Sequence, residues 1–224
     1  DSLLPSLIRL WMRIRLHVAK EWQHANEGSF FYAGPLKGAN VAAWKQAARA
    51  ELASYSSFDE YLCMLLDLVK AFDRVPHRWL VHNAHLYNFP LLILRVSIAS
   101  YVLGRVICVE SIVSRVIYPT RSLTAGSVLA TIEMRLLLIR CVDDTIYKFP
   151  FVVVTLYVDD TSIEGVGPAT RVLNEVTEAI RFLVNGFLEM ELELSPNKNM
   201  CVASRTALAA AAAGELPKLH SKTA

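Results

Sequence analysis

Three aspartates carry the chemistry this sequence could perform. Asp67 stands near the end of an apolar run over residues 61–68, and Asp159 and Asp160 follow a second such run, rich in valine and aromatics, over residues 151–157. In each case a strand-like stretch meets a turn, which brings carboxylates out at an edge while the preceding side chains stay buried. Hard divalent cations take oxygen ligands, and two ions held a few ångströms apart need carboxylates from more than one chain segment. The segments Leu66-Asp67-Leu68-Val69-Lys70-Ala71-Phe72-Asp73 and Leu156-Tyr157-Val158-Asp159-Asp160-Thr161 meet that need. The chemistry they would serve is displacement at phosphorus. The competing role is that of ordinary turn and capping residues.

Other titratable groups are set aside. Cys141-Val-Asp-Asp144 copies the Val-Asp-Asp pattern upstream, but it follows a helical stretch, so it reads as a helix exit and loop. His77, His82 and His85 are poorly spaced for a metal on one helix face. Cys63, Cys108, Cys141 and Cys201 lie far apart without a Cys-x-x-Cys pair and read as buried free thiols, so no zinc site is expected.

The elements that must position the aspartates follow from periodicity. Residues 7–25 read as a helix with Leu7, Leu10, Trp11, Ile14 and Val18 on one side and the arginines largely on the other. Residues 28–38 break that pattern, and residues 39–55 form an alanine-rich second helix. A composition shift follows, and a boundary is placed near residue 58. Residues 77–101 are largely helical, residues 106–118 alternate like a hairpin, and a helix runs from Gly126 to about Cys141. Residues 151–157 read as a central strand, with 161–164 pairing back as the second strand of a hairpin whose turn holds Asp159 and Asp160. Between Pro168 and Met190, Val172, Val176, Ile180, Leu183, Phe187 and Leu188 recur at helical spacing, a helix that covers one sheet face. Residues 205–224, with alanine at every position from 209 to 213, lack bulky apolar groups and read as a disordered or loosely helical low-complexity tail.

These motifs resemble those of reverse transcriptases. The wording from Asp67 to His77 looks most like the retrotransposon type without long terminal repeats. Residues 122–129, Ser-Leu-Thr-Ala-Gly-Ser-Val-Leu, are similar to the family's Gly-x-Pro-Gln-Gly-Ser-x-Leu segment, and residues 194–200 to its later Asn-x-x-Lys-Thr segment. Residues 34–38, Gly-Pro-Leu-Lys-Gly, look like a segment of the fingers just ahead of the palm. The resemblance covers roughly residues 1–204 and implies an α+β polymerase palm, an antiparallel sheet backed by helices. Residues 1–58 would be a partial, mostly helical fingers region, 59–204 the palm with inserted fingers elements, and no thumb is recognised.

The resemblance further implies an RNA-directed DNA polymerase that adds a deoxynucleoside triphosphate to a DNA or RNA primer on an RNA template. Two Mg2+ ions, or Mn2+ in their place, would be held by Asp67 and Asp159 with Asp160 in support. Phe72 would lie against the sugar and exclude a 2′-hydroxyl, and Ala125 and Gly126 would lie at the nucleotide. Lys198 would neutralise the leaving phosphates or give them a proton. At position 125 the family's glutamine is replaced by alanine, and Thr124 replaces proline, which removes a hydrogen-bonding side chain from the nucleotide. The alternative is a degenerate, inactive fragment that at most binds nucleic acid. An RNA-dependent RNA polymerase, which shares the paired aspartates, is disfavoured by Phe72 and Val158.

Composition bounds the reading. The 224 residues carry 54% hydrophobic residues, enough for a sizeable core, and a net charge of +2. The charge is uneven: residues 1–50 hold seven basic and three acidic side chains, +4, which leans towards phosphate contact through Arg9, Arg13, Arg15 and Lys37. A solvated helix face is the competing role there. Mean hydropathy is +0.34. The most apolar stretches, 91–109 and 136–158, are interrupted by Arg95, Arg105, Arg140, Asp143, Asp144 and Lys148, so neither offers the run of about 18 uncharged residues a membrane span needs. Asp1-Ser2-Leu3-Leu4-Pro5 has no basic segment leading into an apolar one, and no secretory signal is expected. Compartment is left open, nuclear only if the retrotransposon resemblance extends to it.

Overall fold

The computed structural model describes residues 4–34, 37–216, 219 and 222–223. In chain order the elements are α1 (Ser6–Ala25), α2 (Ala39–Ser54), β1 (Glu60–Leu66), a 3-10 helix (Ala71–Arg74), α3 (His77–Leu86), α4 (Leu91–Tyr101), β2 (Cys108–Val109), β3 (Ile112–Val113), α5 (Ala130–Lys148), β4 (Val153–Tyr157), β5 (Asp160–Gly167), α6 (Ala169–Glu189), β6 (Met200–Ala203), α7 (Thr206–Glu215) and β7 (Lys222–Thr223). This is the mixed architecture the sequence implies. No helix among the described residues is long and apolar enough to cross a membrane. Two compact units divide the chain: Asp1–Glu27 with Lys70–Arg140, and Gly28–Val69 with Cys141–Ala224. These borders differ from the division near residue 58.

In the second unit the sheet runs β4-β5-β1-β6-β7, antiparallel except for the β6–β7 pair. The middle strand is β1, while the stretch expected to be central, β4, is at the edge. Its valines and aromatics are explained differently: Leu156 is bridged by Phe31, its N–H donating to Phe30 O at 2.8 Å and its carbonyl accepting from Tyr32 N–H at 2.9 Å. That short segment covers an edge that would otherwise expose unpaired backbone.

Strand alternation gives the sheet two unlike faces. Leu62, Met64, Ile163 and Val154 are buried on the α6 side, against Val172, Val176, Ile180 and Leu183. Here Gly165 permits close approach, since an added Cβ would lie 2.8 Å from Val176 Cγ2. The opposite side, facing α2, carries Tyr61, Cys63, Thr155, Ser162 and Glu164. One face is the apolar core, while the other mixes polar groups with a small cluster of Tyr61 and Cys63 against Ala53.

The alanine-rich stretch after residue 205 is a helix with a buried face, not the loose tail its composition suggests. Leu208, Ala209 and Ala212 are buried, and Arg181 donates to both the carbonyl and the carboxylate of Glu215 at 2.7 Å. Small side chains let a helix sit close to its neighbour, and alanine has the highest helix propensity. The start of the second unit contains Pro35 and Leu36, which lie outside the described residues.

In the first unit, α1 buries Met12, Ala19 and Trp22, while Leu7, Leu10 and Ile14, the face expected to pack, are 78%, 54% and 58% exposed. The helix carries apolar residues on two sides. Trp22 decides between them, donating its indole N–H to Tyr87 O at 2.7 Å and packing edge-on against Phe89. The α3 and α4 helices and the hairpin of β2 and β3 match the expected pattern, and Cys108, on that hairpin, is exposed rather than buried. Tyr101 donates its hydroxyl to the carboxylate of Glu133, which is fully buried.

One helix departs in length. Expected to stop near Cys141, α5 continues to Lys148, so Asp143 and Asp144 lie within its last turns and not in a loop. Cys141 and Val142 are buried there, and Thr145 returns its hydroxyl to Cys141 O at 2.6 Å. Burial on one side carries the helix past two aspartates that local propensity would use as a stop.

Candidate active site

The site grows from the β4–β5 hairpin and the end of β1. The ladder pairs Tyr157 with Asp160, leaving a two-residue turn of Val158 and Asp159. Val158 takes φ +61°, a left-handed conformation that a β-branched side chain resists. Val158→Gly is expected to raise stability by about 1 kcal/mol in thermal unfolding, a gain that would be absent if the turn were relaxed. Pairing of Leu66 with Thr161 sets Asp67 one step beyond, beside Asp160.

Asp67, Asp160 and Lys198 line one cavity of about 380 Å³, walled by Ala39, Ala42, Ala43 and Gln46 of α2 and by Thr155 and Ser162 of the sheet. Asp67 Oδ2 is buried and accepts no hydrogen bond, while Lys198 Nζ approaches it at 3.5 Å. Lys198 is largely exposed, so that ion pair is weak. Burial raises the Asp159 carboxyl above the usual range, and the charges of Asp160 and Asp67 raise it further. Asp160 is raised by burial and then by Asp67. In both cases Lys198 pulls the other way without cancelling the shift.

Among the described residues no three His, Cys, Asp or Glu side chains stand close enough together to hold a metal ion. The aspartates therefore share a field without forming a closed ligand set. A buried carboxylate oxygen that accepts no hydrogen bond and two carboxyls held above their usual range are what a cation would relieve, and the carboxylate donors are all oxygen. The residues fit a hard divalent ion. Asp143 and Asp144 do not line this cavity.

Asn199, unremarked in the sequence, positions Asp67. Its side-chain oxygen accepts from Asp67 N–H at 3.1 Å, and its amide nitrogen donates to Ser195 O at 2.7 Å and Leu219 O at 2.9 Å. Ser195 N–H donates to Asp67 O at 2.7 Å, and Val69 N–H to Glu193 O at 2.8 Å, which ties the segment before Lys198 alongside Asp67. The sequence signal was only its place next to Lys198. Asn199→Ala leaves three buried backbone groups short of a partner and is expected to cost about 2 kcal/mol in denaturant unfolding; an unchanged midpoint would contradict this role.

The remaining candidates divide between the units. In the first, Phe72 is half-buried in the 3-10 helix and its carbonyl accepts from Leu123 N–H at 2.7 Å, while Val75 O accepts from Ser122 N–H at 3.0 Å. Phe72 is thus brought beside the loop that ends in Ala125 and Gly126, both exposed, with Gly126 at φ +85°. Arg9 and Arg13 share a face of α1, and Arg15 lies on another side. Lys37 is in the second unit, where its ammonium donates to Gly28 O at 3.3 Å.

Comparison with known proteins places these features in a family context. A family model described as reverse transcriptase (RNA-dependent DNA polymerase) matches residues 24–209. No curated protein matches the chain. Among solved structures, apo telomerase from Candida tropicalis truncated from its C-terminal domain superposes with a TM-score of 0.61 at 12% identity, covering 91% of this chain and 41% of that one. Telomerase from Candida albicans in complex with a TWJ fragment of telomeric RNA gives 0.53 at 14% identity, covering 88% of this chain and 34% of that one. At these identities the likeness is one of fold, and this chain spans well under half the length of either.

Proposed function

We propose that this chain, which belongs to the reverse transcriptase (RNA-dependent DNA polymerase) family, carries the nucleotidyl-transfer site of an RNA-directed DNA polymerase. The observation that carries the reading is the convergence of Asp67, Asp160 and Lys198 on one cavity, with Asp159 on the adjoining turn. The family uses divalent metal ions. Asp67 and Asp159 would hold two Mg2+, with Asp160 in support. Bound there, the ions would lower the pKa of an attacking hydroxyl and neutralise charge on the transferring phosphoryl group.

The chain's own groups then have defined tasks. The primer 3′-hydroxyl attacks the α-phosphate of a deoxynucleoside triphosphate, and pyrophosphate leaves. Lys198, at the cavity and with an exposed ammonium, meets the charge on the departing phosphates or gives them a proton. By the family's pattern Phe72 would oppose a 2′-hydroxyl and so select deoxynucleotides. Ala125 offers no hydrogen bond to the nucleotide. The partners are an RNA template and a DNA or RNA primer, approached by phosphate contacts that include Arg9, Arg13, Arg15 and Lys37. The wording from Asp67 to His77 favours the retrotransposon type without long terminal repeats.

Primer extension on an RNA template with Mg2+ and each nucleotide set tests this. Deoxynucleotides should be incorporated in preference to ribonucleotides, and Phe72→Ala should narrow that preference. Ribonucleotide incorporation exceeding deoxynucleotide incorporation, or none of either, would contradict the reading.

A further inference from the structure

The sheet face that carries Asp160 also carries Ser162 and Glu164, two and four residues along the same strand. Each meets a polar side chain of α2. Gln46 Nε2 donates to Ser162 Oγ at 2.5 Å, and one turn along, Arg49 pairs with Glu164, which is fully buried and also accepts the Tyr61 hydroxyl at 2.7 Å. Opposite Asp160 the helix presents Ala39, Ala42 and Ala43, whose small side chains leave the cavity open.

Apolar contact holds one end of this helix, where Ala53 and Ala50 pack with Tyr61, Cys63, Leu65 and Val166, while Trp44 and Leu52 are 74% and 69% exposed. Alanine side chains bury little area, so at the other end the directional polar contacts do more to fix its position. The Gln46–Ser162 and Arg49–Glu164 contacts therefore set where the α2 wall stands, and through β5 where Asp160 stands. Thr155, 4% exposed, lines the same cavity with its hydroxyl unpartnered.

We propose that Gln46 and Arg49 are positioning residues for the carboxylate site, holding α2 on β5 through Ser162 and Glu164 so that Asp160 faces an open cavity. This rests on the reading of Asp67, Asp159 and Asp160 as cation-binding groups. Outer groups that orient ligands alter metal affinity by about 10- to 100-fold when removed, and the same scale is expected here.

The test is Mn2+ binding to the full chain, followed by loss of the free-ion electron paramagnetic resonance signal, with melting temperature recorded alongside. Gln46→Ala and Ser162→Ala should each weaken binding about tenfold at little cost in melting temperature. The double variant should be no weaker than either single one, since both remove the same contact. Arg49→Leu should weaken binding as well, with partial recovery in Arg49→Lys. Should Gln46→Ala fail to fold, Ser162→Ala, which loses a single hydroxyl oxygen, carries the comparison. Wild-type affinity in Gln46→Ala and Ser162→Ala, while Asp160→Asn loses binding, overturns the positioning role and leaves the carboxylate assignment standing. Wild-type affinity in Asp67→Asn and in Asp159→Asn overturns the assignment and the positioning role with it.

Discussion

Asp67→Asn should reduce nucleotide incorporation by about 10³-fold, the scale of removing one preorganised electrostatic element from an active site, while leaving the fold as stable as before or more so. The two outcomes have one cause. Asp67 Oδ2 is buried without a hydrogen bond, and its charge helps to push Asp159 and Asp160 upward. A neutral amide keeps the shape and removes the repulsion. Activity and stability should therefore move in opposite directions, as they do where a site is built at the expense of the fold. Single-turnover incorporation and thermal melting of the same preparation check both. A large fall in melting temperature would mean that Asp67 is a structural residue.

The second large effect is on stability and pH. Glu133 is fully buried, and burial raises its carboxyl from 4.5 to about 7, with the Tyr101 hydroxyl pulling the other way. The folded chain therefore holds a proton there that the unfolded chain releases between about pH 4.5 and 7. Stability from this group is fully present below the lower value and is lost as pH rises through the upper one. A carboxyl moved from 4.5 to about 7 contributes on the order of 3 kcal/mol. Glu133→Gln keeps an acceptor for Tyr101 without the titrating proton, so it should be more stable than wild type above pH 7 and should flatten the profile. Denaturant unfolding across pH 4 to 8 measures this, and parallel curves for the two proteins would rule it out.

What the sequence made legible is what strand and helix periodicity record. The runs ending at Asp67 and Tyr157 fall on β1 and β4, and the apolar series from Val172 to Leu188 falls on α6, with only Leu188 of that series exposed. Such patterns are read locally because each residue's burial follows from its place on its own element. Neighbours were not legible. The position of β4 at the sheet edge depends on Phe31, far off in sequence, and the face that α1 buries depends on Trp22 finding Tyr87. The length of α5 and the docking of the alanine helix α7 likewise reflect tertiary burial, which overrides the aspartates in one case and the lack of bulk in the other.

For the site the same division holds. Asp67 and Asp160 could be picked out because carboxylates after apolar runs are unusual types in unusual places, and Lys198 because residues 194–200 resemble the family's Asn-x-x-Lys-Thr segment; the three line one cavity. Asn199, Gln46, Ser162 and Thr155 could not, since an amide or hydroxyl has no spacing signature until its partner is known. Arg9, Arg13 and Arg15 were grouped with Lys37 by charge alone, and they fall in different compact units.

The central claim is that these aspartates serve metal-dependent nucleotidyl transfer, and single-nucleotide addition to a primer on an RNA template, at fixed Mg2+, tests it most directly. The wild-type chain should extend the primer and Asp159→Ala should lower the rate by about 10³-fold. Equal incorporation by the two proteins would contradict the assignment.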